Sequence, residues 1–339
     1  MHRPLIPTAL GLGVALWVVT PVPAQTTTVR KWESGTWQTV GGVAPNDVVL
    51  LNPYLMDVAG DTVVVADGGD MTIKAFRKDG TLLWKAGRIG AGPGEYRSPF
   101  DLHIDTHRRV WIYDPANARM TVLQPDGSLL RTIPFATRLT KFLPRANGSI
   151  WALPAREHPF IVEYDSTGTT LRKFDVPPDR VGRSLLEIES WITATSRGGA
   201  AVVSVQSDRF YLVDSTGREI RAYRGVQPQD LPKPVPVTVQ GPGGRKDKGF
   251  RADPNAKYTA IATTADSDRL LMLYGEAGPR PKRTVDAYRV SDGLYLASYL
   301  IPEEAGAIRT ANGYLVALVI DPAPAIRWWR WEPAKPDHK

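Results

Sequence analysis

Asp67-Gly68-Gly69-Asp70, followed by Asp79-Gly80-Thr81-Leu82-Leu83, is answered 47 residues on by Asp114-Pro115-Ala116-Asn117 and Asp126-Gly127-Ser128-Leu129-Leu130. Pro53 finds its counterpart in Pro99. Between these markers apolar and polar residues alternate with period two, as in Thr62-Val63-Val64-Val65-Ala66 and Arg109-Val110-Trp111-Ile112-Tyr113, which is the pattern of half-buried strands. Asp-Gly and Asn-Gly pairs at 79, 126, 147, 292 and 312 supply the positive φ that tight hairpins need. A strand-rich repeat of this length is the mark of a propeller blade, so the chain is expected to be all-β.

Further copies follow in weaker form. Tyr164-Asp165-Ser166-Thr167-Gly168 returns as Val213-Asp214-Ser215-Thr216-Gly217, and a fifth copy ends at Asp292-Gly293-Leu294-Tyr295-Leu296. A sixth starts near Ala307 and stops one strand short, at Ile326–Trp331. The stretch 226–257, rich in Pro, Gly and Lys, fits no copy and reads as an inserted loop in a domain spanning 25–339. Setting it aside leaves room for six blades. An open ring would expose edge strands. The strand-like Thr28-Val29-Arg30-Lys31-Trp32 is therefore expected to complete the last blade and close the ring.

One positive charge at Arg3, an uncharged run from Leu5 to Val19 and the small-residue end Val22-Pro23-Ala24 read as a secretory signal, residues 1–24. The run is shorter than the roughly 20 residues of a membrane span. The expected location is periplasmic or secreted, with no membrane span once the signal is removed. The sequence has no Cys, and a large exported domain can bury enough surface without disulfides. The formal net charge of +7 is spread along the chain without a basic motif, which argues against nucleic acid as partner. A monomer is expected.

Gly90-Ala91-Gly92-Pro93-Gly94-Glu95 leads through Pro99 to Val110-Trp111-Ile112-Tyr113-Asp114-x-x-Asn117-x-Arg119. This resembles bacterial six-bladed β-propeller proteins of the NHL-repeat type, in which a Gly-Pro-Gly-Glu turn precedes an inner strand and an Asp-x-x-Asn-x-Arg corner. The resemblance covers about residues 53–130 and implies the fold. It leaves the activity open, because such folds host binding proteins, sensors and unrelated enzymes.

Gly90–Gly94 lacks the Gly-Lys-Ser/Thr of a phosphate loop, and Pro93 would interrupt the helix such a loop requires. Asp67, Asp70, Asp114 and Asn117 carry oxygens that suit Ca²⁺, but their recurrence at blade corners favours hydrogen bonds to turn backbone. His103-x-x-x-His107 has metal spacing only on a helix, and here a strand runs into a turn. Nor is there a Gly-x-Ser-x-Gly elbow. In Arg327-Trp328-Trp329-Arg330-Trp331, alternation puts Trp329 and Trp331 on one face and Trp328 on the other, as in a strand sandwiched between blades.

The inner strand of each blade faces the central channel, the default ligand site. Aligning Pro53 with Pro99 sets Asp57 beside His103, with Asp101 two residues before on the same face. Lys141 in blade three, Glu189 and Trp191 in blade four, and Arg309 in blade six complete the candidate set. Acid, base and His together could bind a polar ligand or form a general acid/base pair. A solvated channel wall without ligand uses the same residues. The preferred reading is an exported, non-enzymatic binding or scaffold protein. It would present its channel face and inserted loop to a protein, peptide or glycan, without a cofactor. The alternative is a channel-centred hydrolase or lyase resembling the lactonase-type propellers, assisted by a divalent metal such as Ca²⁺. Their channel cluster of Glu, Asn and Asp has no residue-by-residue counterpart here.

Overall fold

The computed structural model describes residues 29–44, 50–155, 159–176, 189–229, 232–233, 235–240, 246–251, 257, 259–276 and 279–333. The proposed signal, residues 1–24, lies outside these residues. The first strand, β1 (Gly35–Val43), precedes the blades. Blade one is β2 (Pro53–Ala59), β3 (Thr62–Asp67), β4 (Thr72–Arg77) and β5 (Leu82–Ala86). Blade two is β6 (Asp101–Ile104), β7 (Val110–Asp114), β8 (Arg119–Leu123) and β9 (Leu129–Pro134). Blade three is β10 (Leu139–Pro144), β11 (Ile150–Pro154), β12 (Ile161–Tyr164) and β13 (Thr170–Phe174). Blade four is β14 (Ser190–Ala194), β15 (Ala200–Ser204), β16 (Arg209–Val213) and β17 (Ile220–Arg224).

A separate two-stranded sheet, β18 (Val235–Gln240) with β19 (Lys246–Arg251), then interrupts the ring. The stretch expected as a plain loop thus folds into a hairpin where it is described. Blade five is β20 (Ala260–Asp266), β21 (Arg269–Tyr274), β22 (Thr284–Arg289) and β23 (Tyr295–Leu300). Blade six runs outward as β24 (Ala305–Ala311), β25 (Tyr314–Val319) and β26 (Ala325–Pro333), with β1 outermost. The chain is therefore an all-β, six-bladed propeller. Among the described residues the only helical element is a 3₁₀ turn, Pro115–Asn117.

An N-terminal strand closes the ring, but it is not Thr28–Trp32. Gly35–Val43 pairs antiparallel with β26, from Gly35↔Pro333 to Val43↔Ile326, with a bulge between Thr39 and Gly41. Residues 30–33 do a different job. Trp32 bridges Ser298 in parallel, Glu33 N–H donates to Ser298 O and Ser298 N–H donates to Lys31 O. The tail thereby lies along the outer strand of blade five before entering blade six. Arg30 reaches further inward: its guanidinium contacts the fully buried Asp286 and donates to Ser298 Oγ at 2.9 Å.

Alternation along each strand gives every blade two apolar faces, and neighbouring blades share them. Six apolar clusters result, one at each junction. Trp328 packs in the cluster between blades six and one, Trp329 in that between five and six, as alternation requires. Two cations near this strand converge on Tyr314. Lys78 lies 3.5 Å over the Tyr314 ring, and Arg330 donates to the Tyr314 hydroxyl at 2.8 Å.

The corner aspartates are structural. Asp67, 1% exposed, accepts the N–H groups of Leu51, Asn52 and Gly69 and the Lys74 ammonium at 2.6 Å. Burial opposes its ionisation, yet these donors outweigh burial and hold its pKa below the usual carboxylate value. Asp114 likewise accepts from Arg97, Ser98 and Ala116 N–H. Asn117 donates to Gly90 O, and Arg119 to the carbonyls of Ala91, Gly92 and Glu95, which pins the Gly-Pro-Gly-Glu turn to the corner.

Candidate functional site: the inner girdle

Each blade's first strand packs against the first strand of the next, so β2, β6, β10, β14, β20 and β24 line the axis in order. At every one of the six junctions a side chain joins the two strands. Arg309 Nε donates to Asp57 Oδ1 at 2.8 Å, joining β24 to β2. Asp57 Oδ2 accepts the Ile104 N–H at 2.7 Å, joining β2 to β6. Asp101 Oδ2 accepts the Phe142 N–H at 2.9 Å, joining β6 to β10. The Lys141 ammonium lies 4.4 Å over the Trp191 ring, joining β10 to β14. Trp191 Nε1 donates to Ala260 O at 3.1 Å, joining β14 to β20. Thr264 Oγ1 accepts the Thr310 N–H at 3.0 Å and closes the circle.

Six of the seven residues singled out from the sequence therefore meet in one continuous belt. Glu189 does not. It is exposed, one residue ahead of β14, and its backbone carbonyl accepts the Val205 N–H. Its position just outside the strand keeps the carboxylate out of the belt. Thr264 was not anticipated, since blade five retains only the terminal Asp292-Gly293 cue and offers no register against blade one. His107 sits in the turn after β6 beside Thr106 and Arg109.

Basic and acidic residue types alternate along the belt: Arg309, Asp57, His103, Asp101, Lys141. His103 is 7% exposed, with Nδ1 3.8 Å from Asp57 Oδ2 and Nε2 3.3 Å from Asp101 Oδ2. The Nε2 contact is ionic in distance but lacks hydrogen-bond geometry. The ring packs edge-on against Phe142 at 5.0 Å. Asp101 is buried, which alone would raise its pKa, yet Lys141 at 3.3 Å, His103 and the Phe142 N–H bring it down to about 2. Among the described residues no group of three or more His, Cys, Asp or Glu side chains is arranged to hold a metal ion. The carboxylate oxygens of Asp57 and Asp101 each accept one hydrogen bond, from Arg309, Ile104, Lys141 and Phe142.

The face that bears the blade connections carries exposed apolar side chains. In four-stranded antiparallel blades the connections from outer strand to next inner strand all emerge on one face. Leu51 (52% exposed), Ile89 (72%) and Phe100 (45%) lie in such connections, and the β18–β19 hairpin rises from another. Tyr54, at the start of β2, is 40% exposed and donates from its hydroxyl to Pro99 O.

A ring of six four-stranded blades joined at the axis defines a six-bladed β-propeller, here with NHL-like repeats. No family model matches the chain. It is similar to the human NHL repeat-containing protein 3, 30% identical over 89 residues, which amount to 25% of this chain and 26% of that protein. The mouse protein of the same name matches equally. The chain thus matches about a quarter of the length of these relatives. Among solved structures it is similar to a candidate exported protein of Bacteroides fragilis, with a TM-score of 0.58 and 12% identity over 90% of this chain and all of that one. A member of the DUF4221 family from Bacteroides vulgatus superposes with a TM-score of 0.56 and 10% identity, over 89% and 100% of the two chains. Virginiamycin B lyase of Staphylococcus aureus gives 0.51 and 14%, over 87% and 99%. At such identities these likenesses establish the fold alone.

Proposed function

We propose that this chain is an exported, non-enzymatic binding propeller that presents the face bearing its blade connections to a protein or peptide partner. The observation that carries this reading is the grouping on one face of Leu51, Tyr54, Ile89 and Phe100 with the β18–β19 hairpin, in a propeller whose inner belt has its charged groups engaged with one another. Exposed apolar groups clustered at a rim of polar residues mark interaction surfaces. Asp57 with Arg309 and Asp101 with Lys141 are committed to one another, and His103 stands between the two pairs. The test is photo-crosslinking from positions 51 and 89 in a periplasmic extract. A partner captured at both positions, and lost with Phe100→Ser and with the hairpin replaced by a short Gly-Ser turn, supports the reading. An identical set of products from all three proteins refutes it.

A channel-centred hydrolase or lyase is the second reading. His103 between two carboxylates favours it, since such a ring could move a proton. Turnover of a lactone panel that disappears in His103→Ala would establish this activity, and no turnover by the parent protein would remove it.

A further inference from the structure

Trp37 of β1 and Trp331 of β26 are direct cross-strand partners in the pair that closes the ring. Their rings lie 4.9 Å apart, and Tyr299 of blade five meets Trp331 edge-on at 5.1 Å. All three are half-buried, so part of each ring remains open to solvent. The Trp37 Nε1–H is satisfied by Leu300 O at 2.9 Å, and its ring also packs against Trp329 at 6.3 Å, which together fix the indole. These rings form one wall of an open cleft between blades five and six, with Leu271, Val285 and Leu315 as its apolar floor.

The other end of the cleft is polar. Asp266 and Arg269 close the β20–β21 turn as a two-point pair, Nε to Oδ1 at 3.1 Å and Nη2 to Oδ2 at 3.0 Å. Their side chains are 22% and 45% exposed. The Gly313 turn flanks them. The turns between first and second strands lie opposite the blade connections, so this polar end belongs to the other face of the propeller. The cleft touches the inner girdle at Thr310, which lines both, and its polar residues lie on the face opposite the exposed apolar groups of the blade connections.

We propose that this cleft binds a single uncharged pyranose ring of a glycan. A pyranose has an apolar C–H face that stacks on an aromatic ring and a rim of hydroxyls that both donate and accept. The cleft offers the matching pair: an indole and phenol wall, and a rigid carboxylate–guanidinium fork with both kinds of hydrogen-bonding atom. The fork is internally neutralised, so it gives an anionic sugar no net attraction. The enclosed space is only about 50 Å³, so the sugar lies across the mouth, in contact on one face. Such one-sided contact corresponds to a dissociation constant on the order of 1–10 mM. Because Trp37 and Trp331 come from the two ends of the chain, the site exists only in the closed ring.

The experiment is a titration of the full chain with the methyl glycosides of glucose, galactose, mannose and N-acetylglucosamine. Tryptophan fluorescence and saturation-transfer NMR are read together. Saturable binding of at least one glycoside is expected. Asp266→Ala and Trp331→Ala should each weaken it by roughly tenfold or more, the equivalent of one good contact. Trp331→Phe retains a stacking ring and should bind within a few-fold of the parent, so the proposal is decided even where Trp331→Ala fails to fold. Lys141→Ala and Phe100→Ser should leave the affinity unchanged, which separates this site from the proposed partner face. Absence of saturation by every glycoside, an unchanged constant in Asp266→Ala, or saturation by free indole alone would overturn the proposal.

Discussion

Arg30 and Asp286 stand 256 positions apart in the chain, and the guanidinium of the first is the charged partner of the second's buried carboxylate. Asp286 is 0% exposed, and burial raises its pKa despite the opposing pull of Arg30 and Ser298. The Tyr274 ring lies 5.4 Å from the guanidinium and completes its surroundings.

Removing that cation leaves an uncompensated buried charge. Arg30→Ala is expected to destabilise the fold by about 3–5 kcal/mol, measured by urea denaturation at neutral pH. The sign of the pH dependence follows from the raised pKa: the folded state binds the proton more tightly, so the deficit shrinks as pH falls toward that value. Asp286→Asn in the Arg30→Ala background should recover much of the loss. A deficit independent of pH and of Asp286 would show that Arg30 acts only through packing.

Asp101 titrates in the opposite direction. With a folded pKa of about 2 against an ordinary value of 3.8, its ionised form stabilises the fold above that ordinary value. The contribution, about 2 kcal/mol, is lost as pH falls from near 4 to near 2. Asp101→Asn should lower stability at pH 7 by about that amount and flatten the acid limb of the stability profile. Equal acid limbs in both proteins would refute this.

Trp191 tests the belt at its least charged link. Trp191→Phe removes the hydrogen bond to Ala260 O while keeping an aromatic face for Lys141. A loss of about 1 kcal/mol is expected, with Ala260 amide exchange quickened relative to blade two. Trp191→Leu removes both contacts and should cost more.

Asp114 caps the corner with its two oxygens, 0% exposed. Asp114→Ala strands the Arg97, Ser98 and Ala116 N–H groups. It should cost about 2–4 kcal/mol in thermal or chemical unfolding, and the 90–95 turn should become a site of proteolysis. A near-neutral Asp114→Ala would mean that water replaces the carboxylate.

The repeat was legible where each blade keeps its hairpin and corner residues, because those positions are dictated by local backbone geometry. The same repeat aligned Asp57 with His103, and the two do lie side by side, 3.8 Å apart. An N-terminal strand does complete the last blade, but it is a different segment from residues 28–32. Gly35-Thr36-Trp37-Gln38-Thr39-Val40-Gly41-Gly42-Val43 carries three glycines and a bulge, which hides strand periodicity. One of those glycines is needed, since a Cβ at Gly42, with φ of 143°, would meet Ile326 O at 2.1 Å. The strand-like look of residues 28–32 pointed to the wrong segment: Lys31, Trp32 and Glu33 lie along blade five. Thr264 escaped for another reason: a Thr accepting one N–H leaves no pattern in a single sequence.

The pairing of Gly35 with Pro333 also sets an order of events. β1 is made well before its partner β26 and waits for it, at synthesis rates of about 5–20 residues per second. For tens of seconds the nascent chain holds blades that have no ring to belong to, and its earliest strand has no neighbour. Completion is a single late event, and synthesis interrupted anywhere before β26 leaves an open arc.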